Sequence, residues 1–132
     1  MAKIPTVSAL AFEHFSMGQG NKPILIGVYT GDIIVAEFPA TIWLGFFIDV
    51  KRPDVGSIST INLELHISDK VVARFEMAVP EPWPTDTATL TIPSGLLNLE
   101  GPTTIELIGE AEGFERTTFI SKRVFHGEVS LA

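Results

Sequence analysis

Cysteine is absent from this chain of 132 residues, and histidine occurs only three times, at positions 14, 66 and 126. Without cysteine there is no disulfide framework, and the wide histidine spacing gives no short set of zinc ligands. No stretch approaches the roughly 20 uninterrupted apolar residues of a membrane-spanning helix. The amino-terminal apolar segment is broken by Glu13 and is a poor secretory signal. We therefore expect no metal, no cofactor and no membrane association, with the cytoplasm as the default location.

Basic residues are also few, with nine Lys and Arg against sixteen Asp and Glu and a net charge of −7. Adjacent basic residues occur only at Lys51-Arg52 and Lys122-Arg123, too scattered to follow a phosphate backbone. The acidic balance opposes binding to nucleic acid and to anionic lipid, and it favours a solvated surface. Neither class of partner is expected.

Alternating apolar residues dominate what is present, and they predict β-structure. Residues 60–67 place four aliphatic side chains on one side of an extended strand, and residues 71–79 repeat the pattern after a polar connection. These two segments predict a β-hairpin. A second hairpin is predicted over 105–110 and 117–124, with Gly113 in its turn. The adjacent basic residues within 121–123 predict a bulge or the end of the strand.

Further strands are predicted over 6–15, 23–30, 32–36, 41–50 and 87–92, and we expect about eight strands in the fold. The second, third and fourth of these are apolar on both sides, which is typical of central strands. No helical apolar stripe is present, although residues 95–101 are compatible with one short helical turn. We therefore predict an all-β fold, an antiparallel two-sheet sandwich of the immunoglobulin-like type, and a single domain over 1–132.

The segment from Gly27 to Pro39 reads G-V-Y-T-G-D-I-I-V-A-E-F-P. This pattern, G-V-Y-x-x-D-I-I-V-x-x-F-P, resembles a motif in an uncharacterised bacterial family of small proteins, a domain of unknown function. The likeness extends to the Lys-Arg-Pro break at 51–53, the first hairpin and the Gly-Pro step at 101–102. What the resemblance implies is a β-sandwich fold, with no assigned activity, cofactor or catalytic residue.

Trp43 and Phe47 are the first candidates for a binding surface, because they alternate with Ile42, Leu44 and Phe46. If the latter three residues face the core between the sheets, Trp43 and Phe47 form an outward apolar patch, a common mark of a partner surface. Two other interpretations stay open. A loop or terminal strand covers the patch, or the faces are reversed and Trp43 belongs to the core.

Three further candidates come from loops. Trp83 lies in the proline-rich segment 80–84, where it either stacks on a sugar or a partner, or closes the end of the sandwich as a lid. Tyr29 and Asp32 flank Gly31 near the motif's turn, and they either present polar contacts to a partner or serve the turn itself.

The sequence contains no nucleophile elbow, phosphate-binding loop or dinucleotide fingerprint. An enzyme would require scattered groups such as Asp32, Asp49 and His126 to converge, and a shared ion would require His126 and Glu128 to lie on one extended face. The leading hypothesis is therefore a non-enzymatic interaction or structural module that binds another protein or a second copy of itself. The alternative is a carbohydrate or small-molecule module that uses exposed aromatic side chains.

Overall fold

Two packed β-sheets account for nearly all the regular structure in the computed structural model, which describes residues 1–79, 83 and 85–127. The nine strands, in chain order, are β1 (Thr6–Met17), β2 (Pro23–Val28), β3 (Ile33–Val35), β4 (Ala40–Lys51), β5 (Thr60–Ile67), β6 (Lys70–Ala78), β7 (Thr87–Leu99), β8 (Thr103–Glu110) and β9 (Thr117–His126). A short 3-10 turn at Gln19–Asn21 joins β1 to β2. Among the described residues, no helix has the length and apolar character needed to cross a membrane.

The predicted hairpins are both present, because their alternating residues have a core to face. In β5, Ile61, Leu63 and Leu65 are buried, and β6 pairs antiparallel with it along its whole length. Ser68 and Asp69 have positive φ angles, the conformation that a tight two-residue hairpin turn needs. The β8–β9 hairpin likewise turns at Gly113, whose φ of 85° suits glycine.

The strand order is that of an immunoglobulin-like sandwich. One sheet has the order β2-β1-β4-β7 and the other β3-β9-β8-β5-β6. The succession β9-β8-β5-β6 opposite β4 and β7 matches strands G, F, C and C′ opposite B and E of immunoglobulin domains. The all-β sandwich prediction is therefore confirmed, except that β3 pairs parallel with β9, so the five-stranded sheet is mixed rather than wholly antiparallel.

Four details differ from the prediction. Of the three strands predicted to be central, β4 is central, whereas β2 and β3 lie at sheet edges. A short apolar segment does not reveal which strands lie beside it. There are nine strands rather than about eight. Residues 95–99 continue β7 instead of forming a helical turn, because they pair with β4. The bulge in β9 lies between Thr118 and Ile120, not at 121–123, where the ladder to β8 stays regular.

Strand β4 forms the centre of the core. Its inward side chains Leu44, Phe46, Ile48 and Val50 are all less than 7% exposed, and they pack between the two sheets. Burial of one such side chain contributes about 1.5–3 kcal/mol to folding. The amino-terminal segment reaches this core beside the start of β9, where Ile4 is buried. The main-chain N–H of Ile4 donates to the buried Thr117 hydroxyl over 3.0 Å, and Lys3 forms a parallel bridge with Glu115.

Candidate functional site

The outer surface of the four-stranded sheet carries an unusual number of large apolar side chains. Alternation along β4 turns Trp43 and Phe47 away from the core, and Leu10 on β1 lies directly opposite Phe47. Leu96 of β7 lies opposite Trp43. The ladder between β1 and β2 places Ile24 and Ile26 on this same surface, opposite Ser16 and His14. We call this set the outer apolar face: Leu10, Ile24, Ile26, Trp43, Phe47 and Leu96.

Much of this face is open to solvent. Exposure is 41% for Trp43, 52% for Ile26 and 60% for Leu96, whereas Phe47 is half-buried between its neighbours. Of the three arrangements that the sequence left open, the structure has the one in which the Ile42 side of β4 faces the core, and Trp43 is buried neither by a reversed strand nor by another described segment. Surfaces of this kind commonly mark contact sites, because exposed apolar area on a free protein is unfavourable.

Trp43 is supported from two sides. Its ring lies beside the imidazole of His14, with 5.4 Å between ring centroids and 50° between ring planes. Its main-chain carbonyl accepts a hydrogen bond of 2.9 Å from the Tyr29 hydroxyl. Burial, and secondarily the nearby Glu13 carboxylate, raises the pKa of Tyr29 to about 12. Tyr29 therefore fixes the end of β4 rather than projecting freely from a loop.

Phe12 lies on the same side of the sheet as the outer apolar face and outside the core cluster between the sheets. It is fully buried and lies opposite Gly45 in the β1–β4 ladder. A Cβ added to Gly45 would come within 2.7 Å of the Phe12 ring, so the glycine makes room for that ring. Polar side chains surround the apolar residues. Thr89 donates to Asp49 over 2.6 Å, and Thr41 donates to Asn98 over 2.8 Å.

The outer surface of the five-stranded sheet has the opposite chemistry. Glu64 accepts hydrogen bonds from Arg74 over 3.2 Å and from Arg116 over 3.0 Å, and it lies 3.1 Å from the His66 ring nitrogen. Hydrogen bonding, first from His66 and then from Arg116, holds the pKa of Glu64 below its usual value. Arg116 also pairs with Glu110. Part of this surface thus carries a network of ion pairs centred on Glu64 and Arg116.

Asp32 lies at the edge of the five-stranded sheet, where it fastens β3 to β9. Its carboxylate accepts the Arg123 main-chain N–H over 3.0 Å and two guanidinium N–H groups over 3.2 and 2.9 Å. These contacts, the main-chain one foremost, hold the pKa of Asp32 below its usual value. The carboxylate thus has an internal partner on the neighbouring strand, a contact that neither of the two interpretations from the sequence described.

Trp83 is only 7% exposed and belongs to the core cluster. Its indole N–H donates to the Ile58 carbonyl over 3.2 Å. This placement agrees with the interpretation of Trp83 as a side chain that closes the end of the sandwich. Such burial leaves little ring surface for a sugar. Its flanking residues 80–82 and 84 lie outside the described residues.

The three residues that the sequence offered for an enzyme site, Asp32, Asp49 and His126, do not lie together. Asp49 is on the outer surface of the four-stranded sheet, bonded to Thr89, whereas Asp32 and His126 adjoin β3 and β9 in the other sheet. Glu128, the suggested companion of His126, lies outside the described residues. Within residues 1–79, 83 and 85–127, no three His, Asp or Glu side chains are grouped to hold a metal ion.

The feature that sequence reasoning missed is the contribution of β1, β2 and β7 to the same surface as Trp43. Alternation in each strand indicated which residues share a side, but only the strand order joins Leu10, Ile26 and Leu96 to Trp43. Comparison with protein-family models and with curated proteins found no match to this chain, so the family resemblance of the motif stays a prediction.

Proposed function

We propose that this protein is a non-enzymatic interaction module whose outer apolar face binds a protein surface, with a second copy of the chain as the first partner to test. The observation that carries the proposal is the chemical difference between the two sheets. One outer surface carries a network of ion pairs around Glu64, and the other exposes a larger apolar group that includes Trp43, Ile26 and Leu96.

Charge also favours contact at the outer apolar face. Two copies of a chain with net charge −7 repel each other, and the repulsion is least where carboxylates are few. Among the described strand residues, alternation places a single carboxylate, Asp49, on the outer surface of the four-stranded sheet, where Thr89 binds it. Apolar side chains within a polar rim are the usual anatomy of a protein interface.

Size-exclusion chromatography with light scattering, over a range of concentrations, tests the proposal. We expect a dimer for the wild type and a folded monomer for Trp43→Glu, because a charge at the centre of the face would be buried without a partner. Ile34→Glu is the matched control, since Ile34 is 45% exposed but lies on β3 of the other sheet. Circular dichroism establishes that both variants are folded.

A wild type that stays monomeric at every concentration, or a Trp43→Glu variant that dimerises as well as Ile34→Glu does, would contradict self-association through this face. The two variants differ mainly in the sheet that carries the new charge. A dimer lost in both would therefore indicate a general effect of added negative charge instead.

The alternative, a carbohydrate or small-molecule module that stacks its ligand on exposed aromatic side chains, has less support. It needs at least two exposed and nearly coplanar rings. Trp83 is buried, and the Trp43 and His14 ring planes differ by 50°. We therefore favour the interaction module.

A further inference from the structure

An apolar cleft of about 300 Å³ opens between the two sheets on the side where the edge strands β6 and β7 lie. Leu44 and Phe46 of β4 line it from one sheet, and Leu65 and Phe75 line it from the other. All of its lining residues are uncharged and apolar. Its volume lies at the lower end of the range for small-molecule sites.

The sequence produces this cleft through small residues and a bulge. Ala73 faces the space from β6, and an added Cβ on Gly95 of β7 would meet no atom within 4 Å. Between Ile92 and Gly95 the ladder to β4 shifts its register, so the edge of the four-stranded sheet is irregular at this point. Protein interiors seldom leave such space between packed layers. The cleft therefore results from the small residues on β6 and β7 and from the irregular edge of the four-stranded sheet.

A second cleft of about 330 Å³ adjoins the first along the same edges and shares Val72 with it. This second cleft is polar at its far end. Lys70 lines it together with Ser68 and Thr103, whose hydroxyl groups are hydrogen-bonded to each other. Glu100 lines it as well. An apolar slot thus leads to a cation and two hydroxyl groups.

We propose that the paired clefts bind an unbranched aliphatic carboxylic acid, with its hydrocarbon chain between the sheets and its carboxylate near Lys70. The occupant follows from complementarity of charge and polarity. An alkyl chain matches a slot with no polar side chain. A carboxylate matches the Lys70 ammonium group and the one O–H of the Ser68–Thr103 pair that is not used between the two hydroxyl groups. The proposed site meets the outer apolar face at Leu96, which also lines the first cleft, but the inference does not depend on the function proposed for that face.

Calorimetric titration with octanoate, decanoate and dodecanoate tests the slot. Each methylene buried should tighten binding about fourfold until the slot is full. Ala73→Leu should weaken dodecanoate binding at least tenfold, because the larger side chain fills the space. Ala78→Leu, an exposed position on the same strand, should bind as the wild type does. Thermal unfolding of both variants checks that each is folded.

The polar end is tested with charge variants and an uncharged ligand. Lys70→Met should weaken dodecanoate binding and leave dodecanol binding unchanged, whereas Glu100→Gln should tighten dodecanoate binding by removing a like charge. Affinity independent of chain length, or equal binding by Ala73→Leu and Ala78→Leu, would overturn the proposal. A loss of dodecanoate binding in Trp43→Glu, with binding retained in Ala73→Leu, would also overturn the proposal, since the ligand would then lie on the outer apolar face.

Discussion

The Tyr29 hydroxyl bonds to the Trp43 carbonyl at the point where two strands of one sheet separate. The ladder between β1 and β4 ends at Phe12 and Gly45, so the Trp43 carbonyl has no β1 residue to pair with. Tyr29 supplies a donor 2.9 Å away. A side chain from the β2 end thus replaces a ladder hydrogen bond beneath the most prominent aromatic residue of the outer apolar face.

Tyr29 should ionise near pH 12, because burial disfavours the phenolate and Glu13 repels it. The folded pKa is raised above the ordinary 10.0, so the associated stability is complete below pH 10 and is lost as the pH rises through 12. Since this is the single tyrosine of the chain, phenolate absorbance reports it without interference. Glu13→Gln should lower the pKa toward 10. A wild-type midpoint already at 10 would be incompatible with the packing described.

Gly45→Ala should destabilise the fold by about 1–3 kcal/mol, since the new methyl group would overlap the Phe12 ring and the Ile92 carbonyl in a packed region. Urea unfolding measures the difference. Gly95→Ala in the same sheet is the matched control, because its Cβ meets open space. Equal stability of the two variants would show that the close approach of Phe12 to Gly45 is not a constraint.

Trp83→Ala should cost about 3–5 kcal/mol, as expected when a large buried side chain leaves a cavity. Trp83→Phe keeps much of the apolar volume but loses the donor to Ile58, so its cost should be smaller. Denaturant midpoints rank these variants. Trp43→Ala is the comparison for a half-exposed tryptophan. If it proved as costly as Trp83→Ala, the distinction between a lid and a surface residue would fail.

Asp32→Asn should weaken the attachment of β3 to β9 at neutral pH. The folded pKa of Asp32 is lowered, so its contribution is present above the ordinary value of 3.8 and disappears as the pH falls through the folded pKa. Thermal unfolding at several pH values should therefore show wild type and variant converging in acid. Asp54→Asn, on an exposed loop, controls for the charge change. A constant difference at all pH values would exclude the ionised carboxylate as its source.

Alternation within single strands predicted much of the architecture. It identified both hairpins and placed Trp43 and Phe47 on the side of β4 opposite Ile42, because side chains alternate along a strand, but it left open which side faces the core. It did not predict the partners of Tyr29 and Asp32. Asp32 meets Arg123 across 91 positions of sequence, and a strand's own pattern carries no information about which strand lies beside it.

Irregularities were harder to place for a related reason. Lys122 and Arg123 predicted a bulge or the end of the strand, yet the ladder to β8 stays regular there, and Arg123 has an internal acceptor in Asp32. The bulge that β9 does contain is at Phe119, and it brings the Phe119 ring against Gly109. A Cβ on Gly109 would overlap that ring. Local charge patterns do not indicate such contacts, since these depend on the neighbouring strand.

The parallel arrangement of β3 and β9 has a mechanical consequence. Three residue pairs join the two strands, which run in the same direction, and the bridge between Lys3 and Glu115 is likewise parallel. Tension between residues 1 and 127 would pull these parallel segments past each other along their length. Their hydrogen bonds would then bear the force at the same time, whereas the bonds of a hairpin pulled from its two ends open one after another. The domain should thus resist stretching along the chain more strongly than its modest length implies.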